Sequence, residues 1–508
     1  MALTTLQIVG LALSLILVVF YFMRRAQEGG FPLPPGPPRH PLIGNFFNFP
    51  MSNQQETFTL WSQLFGDVVY SNVLGNHFVT INTAEAVEDI LTKKAGNSSN
   101  RPNMVMAMEL VGMGWATLFK QPGAEHREER KLLHTGLSPA GLKVWANMVD
   151  SQANKYVRSL IKGCDRDLAT EEQVFPDCLD LRSAHVLIFI HSYGEGVFEN
   201  HGPELLQMNK EGILIFSKTL ANFWLVDLIP LLKYVPDWFP GAGFKRYAAK
   251  CNRLEQILQT RPFELTQKLH NEGKAGYSMT AQLLEQGADQ KRIAIAVATA
   301  FQAGYEATYV SVTVFILAML LYPDVQTKAL EEIDNLTHGE RIPTVGDRPN
   351  LPYIDAICKE IKRWHTIGPL GVPHVTAEED SYKGMRIPKG SIIQVNVRLI
   401  HHDPRNYTDP YVFRPERFLP ERPEDMPLDP SLVAFGFGRR MCPGRFLADM
   451  TTYSAIVNIL TAYTIKPAPG KLVPSGLDYI DGTVSIPKQY DCLLEPRSDK
   501  RLQLFKED

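Results

Sequence analysis

Cysteine is scarce in this chain, and no two cysteines stand close together. The sequence therefore contains no CxxC pair of the kind that binds zinc or forms a redox dithiol. The wide spacing also argues against the dense disulfide framework of small secreted domains. Any chemistry that depends on sulfur must come from one of six isolated residues, which are Cys164, Cys178, Cys251, Cys358, Cys442 and Cys492.

The chain also lacks an excess of charge of either sign. Its formal net charge is -3 over 508 residues, and its isoelectric point lies near 6.5. Proteins that bind nucleic acid depend on a basic surface that neutralises phosphates, so we expect no nucleic-acid partner. Hydrophobic residues make up 44% of the chain, which is ample for a large core.

The N-terminus has no charged residue from Ala2 to Met23, and Arg24 and Arg25 follow directly. About 20 apolar residues suffice to cross a bilayer as a helix. A cleaved signal peptide would carry its positive charge before the apolar run, and here the charge comes after it. We therefore expect residues 1–25 to form a retained membrane anchor. The arginine pair places the rest of the chain on the cytosolic side.

A proline-rich stretch, GGFPLPPGPPRHPLIGN, occupies residues 29–45. Its six prolines and four glycines prevent helix formation and favour a stiff, extended connector. We expect residues 26–45 to be a hinge between the anchor and a single large domain, since no second linker follows.

The body of the chain is predicted to be mostly helical with a few short strands. Residues 70–83 alternate like a β-hairpin, and residues 383–397 have the glycine and proline punctuation of a second small sheet. The longest helical segment runs from about 289 to 322, and past Arg292 its only charge is Glu306. A carboxylate at the centre of a bilayer costs about 2.5–3.5 kcal/mol, so a core helix is favoured over a second membrane span.

The long helix contains the sequence AGYEAT at residues 303–308. Ala303 and Gly304 would let a flat or bulky group lie against the backbone, and the acid Glu306 stands beside them. A buried acid without a nearby base is more often functional than structural. A helix crossing at Gly304 explains the small pair equally well at this point.

Three further patterns follow in order. Glu360 and Arg363 are three residues apart and share one helical face, where an ion pair is possible. Arg417 lies in the stretch YVFRPERFLP, which Pro415 makes rigid. The third pattern is FGFGRRMCPG, residues 435–444, which contains Cys442.

This ordered set resembles the cytochrome P450 superfamily of haem-thiolate monooxygenases over essentially the full chain. The resemblance rests on the anchor, PPGPP, AGxE on a long helix, ExxR, PERF and FGxGRRxCPG. The cysteine run is highly specific, whereas ExxR and AGxE gain their weight from order and spacing. The stretches YVPDWFPGAGFKR and YIDGTVSIP are similar to the fungal microsomal branch that serves secondary metabolism.

The resemblance implies a mainly α fold with small β-sheets, the cytochrome P450 fold, behind an N-terminal transmembrane helix. Residues 1–25 would be the anchor, residues 26–45 the hinge, and residues 46–508 the haem-thiolate catalytic domain. Haem b would be the cofactor, and NADPH-cytochrome P450 reductase the partner that supplies electrons. We expect a single-pass protein of the endoplasmic reticulum membrane with its catalytic domain in the cytosol.

The resemblance assigns Cys442 as the ligand of the haem iron, because a thiolate is the soft, electron-donating ligand of this family. Gly436 and Gly438 would let the loop turn tightly and bring backbone N–H groups towards the sulfur. Phe435 would pack against the loop and the haem. The helix that follows Gly444 would present its positive end to the thiolate.

The haem propionates are anionic, and the resemblance points to residues that would bind them. Arg440 precedes the cysteine by two residues. Arg130 occupies the arginine position of the family's WxxxR helix, and His126 stands where the family has tryptophan. His374, in GPLGVPH, is the remaining candidate.

The resemblance also implies a catalytic role for the long helix. Glu306 and Thr308 are the catalytic candidates. The family usually has a threonine directly after the acid, whose hydroxyl takes part in proton delivery, but this chain has Ala307. Thr308 lies about 100° further around the helix, so proton delivery must depend on Glu306 through water or on a substrate hydroxyl.

By resemblance, the substrate pocket is lined by residues 101–115, the middle of the long helix, and residues 370–372 and 479–484. These segments are rich in apolar side chains and carry no cluster of charge, so the expected substrate is an apolar small molecule such as a terpenoid. Residues 213–239 are apolar enough to dip into the membrane, and core packing explains them equally well.

Other functions share these motifs. A haem-thiolate isomerase or dehydratase would need no external electrons, and an aromatic or alkaloid hydroxylase would differ in its substrate alone. A haem carrier or sensor has little reason to place an acid beside a small pair, so Glu306 argues against that class.

Overall fold

The computed structural model describes residues 31–164, 182–222, 224–480 and 482–506, and they form two compact units. The smaller unit contains the described residues up to Pro102 together with Val372–Asn396 and Phe437–Arg439. The larger unit contains the remainder. The predicted anchor, residues 1–25, and the first part of the predicted hinge lie outside the described residues.

The smaller unit is built on short strands and two helices. The strands are β1 (Val68–Val73), β2 (Asn76–Ile81), β3 (His374–Val375), β4 (Asp380–Tyr382), β5 (Met385–Ile387) and β6 (Ile392–Val395), and the helices are α1 (Gln54–Phe65) and α2 (Ala84–Val87). Strands β1 and β2 form an antiparallel hairpin, which confirms the sequence prediction. Leu74 and Gly75 both have positive φ, as the two-residue turn that matches strand twist requires.

The second small sheet predicted at residues 383–397 is only partly present. Strand β5 pairs with β4, but β6 joins the first sheet, which has the strand order β1-β2-β6-β3. Strand β6 runs parallel to β2 and antiparallel to β3. Parallel pairing links strands far apart in sequence, so local turn residues could not reveal it.

The described part of the predicted hinge packs against β1. The backbone N–H of Tyr70 donates to Pro35 O at 2.9 Å. A Cβ on Gly36 would lie 1.9 Å from Tyr70 O, so only glycine fits there. Asn45 donates from Nδ2 to the carbonyls of Pro37 and Pro38. Residues 31–45 are therefore a packed element of the smaller unit.

The larger unit is mostly helical. Its helices are α3 (Ala124–Leu137), α4 (Pro139–Leu142), α5 (Ala146–Cys164), α6 (Arg182–Tyr193), α7 (Glu195–Ala221), α8 (Leu225–Leu228), α9 (Gly243–Asn271), α10 (Met279–Glu285), α11 (Gln290–Leu321), α12 (Pro323–Thr337), α13 (Pro352–Trp364), α14 (Val397–His401), α15 (Ser431–Ala434), α16 (Arg445–Ala462) and α17 (Asp499–Gln503). Two antiparallel pairs accompany them, β7 (Tyr463–Pro467) with β10 (Cys492–Pro496) and β8 (Tyr479–Ile480) with β9 (Ile486–Pro487).

Helix α11 is the long helix predicted from the sequence. Asp289 caps its N-terminus by accepting from the backbone N–H of Arg292 at 2.9 Å. Its apolar window is long enough to cross a membrane, yet 67% of that window is buried inside the protein. This burial agrees with a core helix.

Two hydrophobic clusters share α11. Its first half, including Phe301 and Tyr305, packs with Ile188 and Phe189 of α6. Its second half packs with residues of α13 and α16. The helix is apolar on all sides because both clusters surround it.

A third hydrophobic cluster joins the segment 105–119 to residues of α8 and α9. Polar contacts hold the same elements together. Asp227 of α8 accepts from the backbone N–H of Met106 at 2.7 Å, and Lys233 pairs with Glu109 at 2.6 Å. We call residues 105–119 together with 215–251 the flap.

Candidate functional site

Cys442 lies in a tight loop that ends at the start of α16. Its backbone N–H donates to Phe435 O at 2.7 Å, which closes the loop. Gly436 has a φ of +78°, a conformation that favours glycine. The sequence therefore folds this segment back on itself, with the cysteine directly before the helix.

The sulfur of Cys442 receives stabilisation from several groups. Burial raises the pKa of the thiol, and backbone N–H groups of Gly444 and Arg445 lower it in part, as do the charges of Arg130 and Arg445. Gly444 and Arg445 form the N-terminal end of α16, which carries partial positive charge. Burial outweighs the other groups, so the thiol keeps its proton in the absence of a metal ion. A coordinated metal ion would remove the proton, and the same N–H groups and charges would then stabilise the thiolate.

Two arginines accompany the cysteine, of which Arg440 is buried and Arg130 is half-buried. Burial lowers the pKa of Arg130. Cys442 raises this pKa in part, whereas the positive charge of Arg445 lowers it further. Burial lowers the pKa of Arg440 to about 10, and the nearby charge of Arg130 contributes. Neighbouring buried cations are costly unless an anion joins them, so this site favours an anionic group.

His126 lies beside Arg440. Arg440 Nη1 donates to His126 Nε2 at 2.8 Å, and Nη2 donates to Lys120 O at 2.6 Å. A guanidinium has no acceptor, so Nε2 of this histidine carries no hydrogen and the ring is the neutral Nδ1-H tautomer. His126 therefore acts on the predicted propionate site by positioning Arg440.

Two of the predicted residues lie in the smaller unit. His374 is buried, and its Nδ1 donates to Ser98 O at 2.6 Å. Its Nε2 can donate only when the ring is protonated. Gly438 has a φ of +50°, and a Cβ there would lie 2.5 Å from Leu91 O and 2.9 Å from Ala95 Cβ. Both conformation and close packing therefore require glycine at that position.

The small pair on α11 has two separate roles. A Cβ on Gly304 would lie 2.8 Å from Ile188 Cγ1 of α6, so this glycine serves a helix crossing. Ala303 is exposed, although most of the helix around it is buried. The methyl group of Ala303 therefore faces open space. The structure confirms the helix crossing at Gly304, and a flat group against Ala303 stays a prediction.

Glu306 is the acid on α11, one turn after Gln302. Burial raises the pKa of its carboxyl to about 7, and the hydroxyl of Ser217 offsets part of the rise. Ala307 shares the Ala303 face, one turn on, whereas Thr308 is buried and shares the Gly304 face. The hydroxyl that the family has at the Ala307 position is thus missing from that face.

The ion pair predicted between Glu360 and Arg363 is present, and Arg417 of the PERF stretch joins it in a buried triad. Arg363 donates twice to Glu360, at 2.8 Å from Nε and 2.8 Å from Nη2. Arg417 Nε donates to the same carboxylate at 3.1 Å. The carboxylate also accepts from the backbone N–H of Arg414 at 2.8 Å. Both arginines donate further to backbone carbonyls of residues 401–412, so the triad fixes that loop to α13.

The sequence did not single out every residue at the cysteine. Arg445 lowers the pKa of Cys442 and donates from Nη1 to its carbonyl at 3.0 Å. Its position three residues after the cysteine is the sequence feature that could have identified Arg445. Lys120 contributes through its backbone carbonyl, which any residue could supply. No sequence signal could identify that contact.

A loop cysteine with converging N–H donors, two arginines beside it and a mainly helical fold define a haem-thiolate protein. A family model for cytochrome P450 matches residues 34–494. The chain therefore belongs to the cytochrome P450 family, and it is a monooxygenase of that family.

Curated relatives agree with this assignment. Cytochrome P450 monooxygenase 208 of Postia placenta is 33% identical over 496 residues, which cover 96% of this chain and 95% of that protein. The multifunctional cytochrome P450 monooxygenase af510 of Aspergillus fumigatus is 30% identical, with 99% of this chain and 95% of that protein covered. Both relatives are fungal.

A solved structure supports the fold. A zebra fish cytochrome P450 in a structure with abiraterone aligns with a TM-score of 0.68 and 22% sequence identity. The alignment covers 87% of this chain and all of that chain, 100%. At this identity the likeness concerns the fold, which is the mainly helical cytochrome P450 fold with small sheets.

Haem b is the cofactor of this family, and the residues present suit it. Arg130 is half-buried and forms no ion pair in the part of the chain that the structure describes. An anionic cofactor would supply the missing counter-charge. Ala303 leaves room beside α11, and the backbone N–H groups at Cys442 suit an anionic sulfur.

Proposed function

We propose that this enzyme inserts one oxygen atom from O₂ into a neutral, apolar small molecule, such as a terpenoid of fungal secondary metabolism. The observation that carries the proposal is the protonation state of Glu306, which lies next to the exposed Ala303 on α11. Burial raises the pKa of Glu306 to about 7, so about half of these carboxyls are neutral at pH 7 and the average charge is reduced. A pocket without fixed charge favours an uncharged substrate.

In this proposal, Cys442 ligates the haem iron, and the haem when bound supplies the oxidising chemistry. Arg130 and Arg440 bind the propionates, with His126 holding Arg440 in place. Gly438 and Phe435 shape the cysteine loop.

Proton delivery in this proposal is the task of Glu306. Its carboxyl donates a proton towards the pocket, since a group with a pKa near the working pH is suited to both giving and recovering a proton. Ala307 cannot assist, because it has no hydroxyl. Thr308 remains a catalytic candidate by sequence, although it lies on the buried face of α11.

Two alternatives make different demands on the same site. An isomerase or dehydratase would turn over without NADPH and reductase. An alkaloid hydroxylase would bind an ammonium group, which needs an ionised partner. The suppressed charge of Glu306 favours the neutral substrate over the cationic one.

We expect turnover to require NADPH and cytochrome P450 reductase, with one atom of ¹⁸O₂ appearing in the product. The assay would combine the full-length protein with fungal terpene hydrocarbons and, as the comparison set, alkaloid amines. Mass spectrometry of the products decides between the classes. Product formation without NADPH, or tight binding of the amines alone, contradicts the proposal.

We also propose that the enzyme is a single-pass protein of the endoplasmic reticulum membrane with a cytosolic catalytic domain. The uncharged run at residues 2–23 supports this, as does an apolar surface on the flap. Leu231, Tyr234 and Trp238 are all strongly exposed, with Trp238 at 80%. Exposed tryptophan and tyrosine favour the membrane interface.

Deletion of residues 1–25 is expected to release part of the protein from membranes, because the anchor has the largest transfer free energy. Adding Leu231→Ser and Trp238→Ser should release most of the remainder, since both remove interfacial apolar area. Leu472→Ser is the matched control, because Leu472 is also exposed but lies outside the flap. Sedimentation with vesicles measures the bound fraction. Equal release by Leu472→Ser would contradict a specific role for the flap.

A further inference from the structure

A second buried carboxyl lies near Glu306 and has no role so far. Glu255 of α9 is 1% exposed. Gln302 Nε2 of α11 donates to its Oε2 at 3.4 Å. Its other oxygen, Oε1, has no hydrogen-bond partner among the described residues. Because Oε2 accepts, the hydrogen of the protonated acid belongs on Oε1.

Further polar atoms in the same region are buried without a partner of standard geometry in the described chain. They are Glu306 Oε2 and Ser217 Oγ of α7. A Cβ on Gly212, also of α7, would lie 3.7 Å from Glu255 Oε1, and Ser217 acts on Glu306. Both carboxyls therefore lie along the seam where α7, α9 and α11 pack together.

The spacing along the seam suits a short chain of hydrogen bonds. Gln302 and Glu306 are one turn apart on α11, about 6 Å along the helix axis. An unpaired buried polar atom costs about 1–3 kcal/mol, and proteins commonly satisfy such atoms with ordered water. Water held beside this turn of α11 can supply the missing hydrogen bonds, and the Ser217 hydroxyl can both donate and accept among them.

We propose that Glu255 is a relay residue that returns protons to Glu306 through Ser217 and water held in the seam between α7 and α11. This inference rests on the proposed function of Glu306. Glu255 acts through Glu306 and in that sense is a positioning residue. The route compensates for Ala307, which cannot pass a proton.

In this relay, each group that releases a proton later receives one. Glu306 releases one proton towards the pocket and becomes a carboxylate. Glu255 Oε1 gives its proton through Ser217 to Glu306. Because Glu255 is 1% exposed, its carboxylate recovers one proton from solvent through the water held in the seam. Burial raises the pKa of Glu255 to about 7, close to that of Glu306, so transfer between them is nearly balanced.

The surroundings of Glu255 leave this balance undisturbed. Gln302 of α11 lowers the pKa of Glu255 slightly by its hydrogen bond. The titratable neighbour on α9 is Cys251, whose own pKa is raised mainly by burial and in part by Glu255. No charged side chain of α7 or α11 within the described ranges shifts the pKa of Glu255.

Infrared spectroscopy of the holoenzyme tests the pair without turnover. As the pH rises through about 7, the carbonyl bands of two protonated carboxyls are expected to disappear. One band should be absent in Glu255→Gln and the other in Glu306→Gln. Glu332→Gln is the control, because Glu332 is also a carboxyl with a raised pKa but accepts from backbone N–H groups on α13. Absence of a band that depends on Glu255 would overturn the proposal.

Coupling measurements test the relay itself. Glu255→Gln is expected to raise the ratio of peroxide to product about 10-fold, less than the roughly 100-fold loss expected when a general acid is removed. The solvent deuterium isotope effect on product formation should increase, while the carbon monoxide spectrum and the substrate-induced spin shift stay as in the wild type. Wild-type coupling and isotope effect in Glu255→Gln would overturn the relay. Absence of NADPH-dependent turnover in the wild type would instead contradict the proposed function, and the infrared result would still decide the state of Glu255.

Discussion

Replacing Cys442 with serine is expected to abolish the red-shifted Soret band of the reduced carbon monoxide complex. That band reports a thiolate ligand, and serine cannot supply a soft, electron-donating sulfur. The two backbone N–H groups and the nearby arginines that lower the pKa of the thiol would then face an oxygen that stays protonated. Absorption spectra of the reduced protein with carbon monoxide measure the loss, which should be complete.

Cys492→Ser is the matched control, because Cys492 is buried in β10 and receives the same change of atom. Its spectrum should retain the band. A full thiolate band in Cys442→Ser would show that another cysteine ligates the haem.

Breaking the triad is expected to produce the largest loss of stability. Glu360→Gln removes the negative charge that pairs with Arg363 and Arg417, and Glu360 and Arg363 are fully buried. Loss of one partner of a buried ion pair costs about 3–5 kcal/mol, because a charge is left uncompensated. Thermal unfolding and haem retention measure the effect, and little folded protein should survive purification.

Glu204→Gln provides the comparison, since Glu204 pairs with Arg261 on the exposed surface. Such a pair contributes about 0–1 kcal/mol. Equal unfolding midpoints for the two variants would show that the triad does not stabilise the fold.

Local patterns in the sequence predicted the features that depend on nearby residues. The hairpin β1–β2, helix α11 and the ion pair of Glu360 with Arg363 each arise from residues within one element or turn. The cysteine loop was equally readable, because glycine spacing controls its backbone. The structure confirms the hairpin, the helix and the pair.

Features that join distant segments were not predictable in this way. Strand β6 pairs with β2 more than 300 residues away, so the β6 part of the segment 383–397 was assigned to the wrong sheet, while β5 does belong to a second small sheet. Glu255 meets Gln302 only because α9 packs on α11, and nothing in the local sequence of α9 indicates a buried acid. The two roles of Ala303 and Gly304 also depend on which helix crosses α11.

The separate hydrophobic cluster of the flap affects how related enzymes can diverge in sequence. Its core residues are distinct from the clusters that surround α11 and α16, and distant sites that share no partners contribute additively to stability. Substitutions among the hydrophobic core residues of the flap can therefore accumulate without disturbing the loop of Cys442. A chimaera that exchanges residues 105–119 and 215–251 as one block keeps Asp227 and Met106 together and so preserves both sides of that contact. Modularity of this kind lets one oxidative centre serve many substrates.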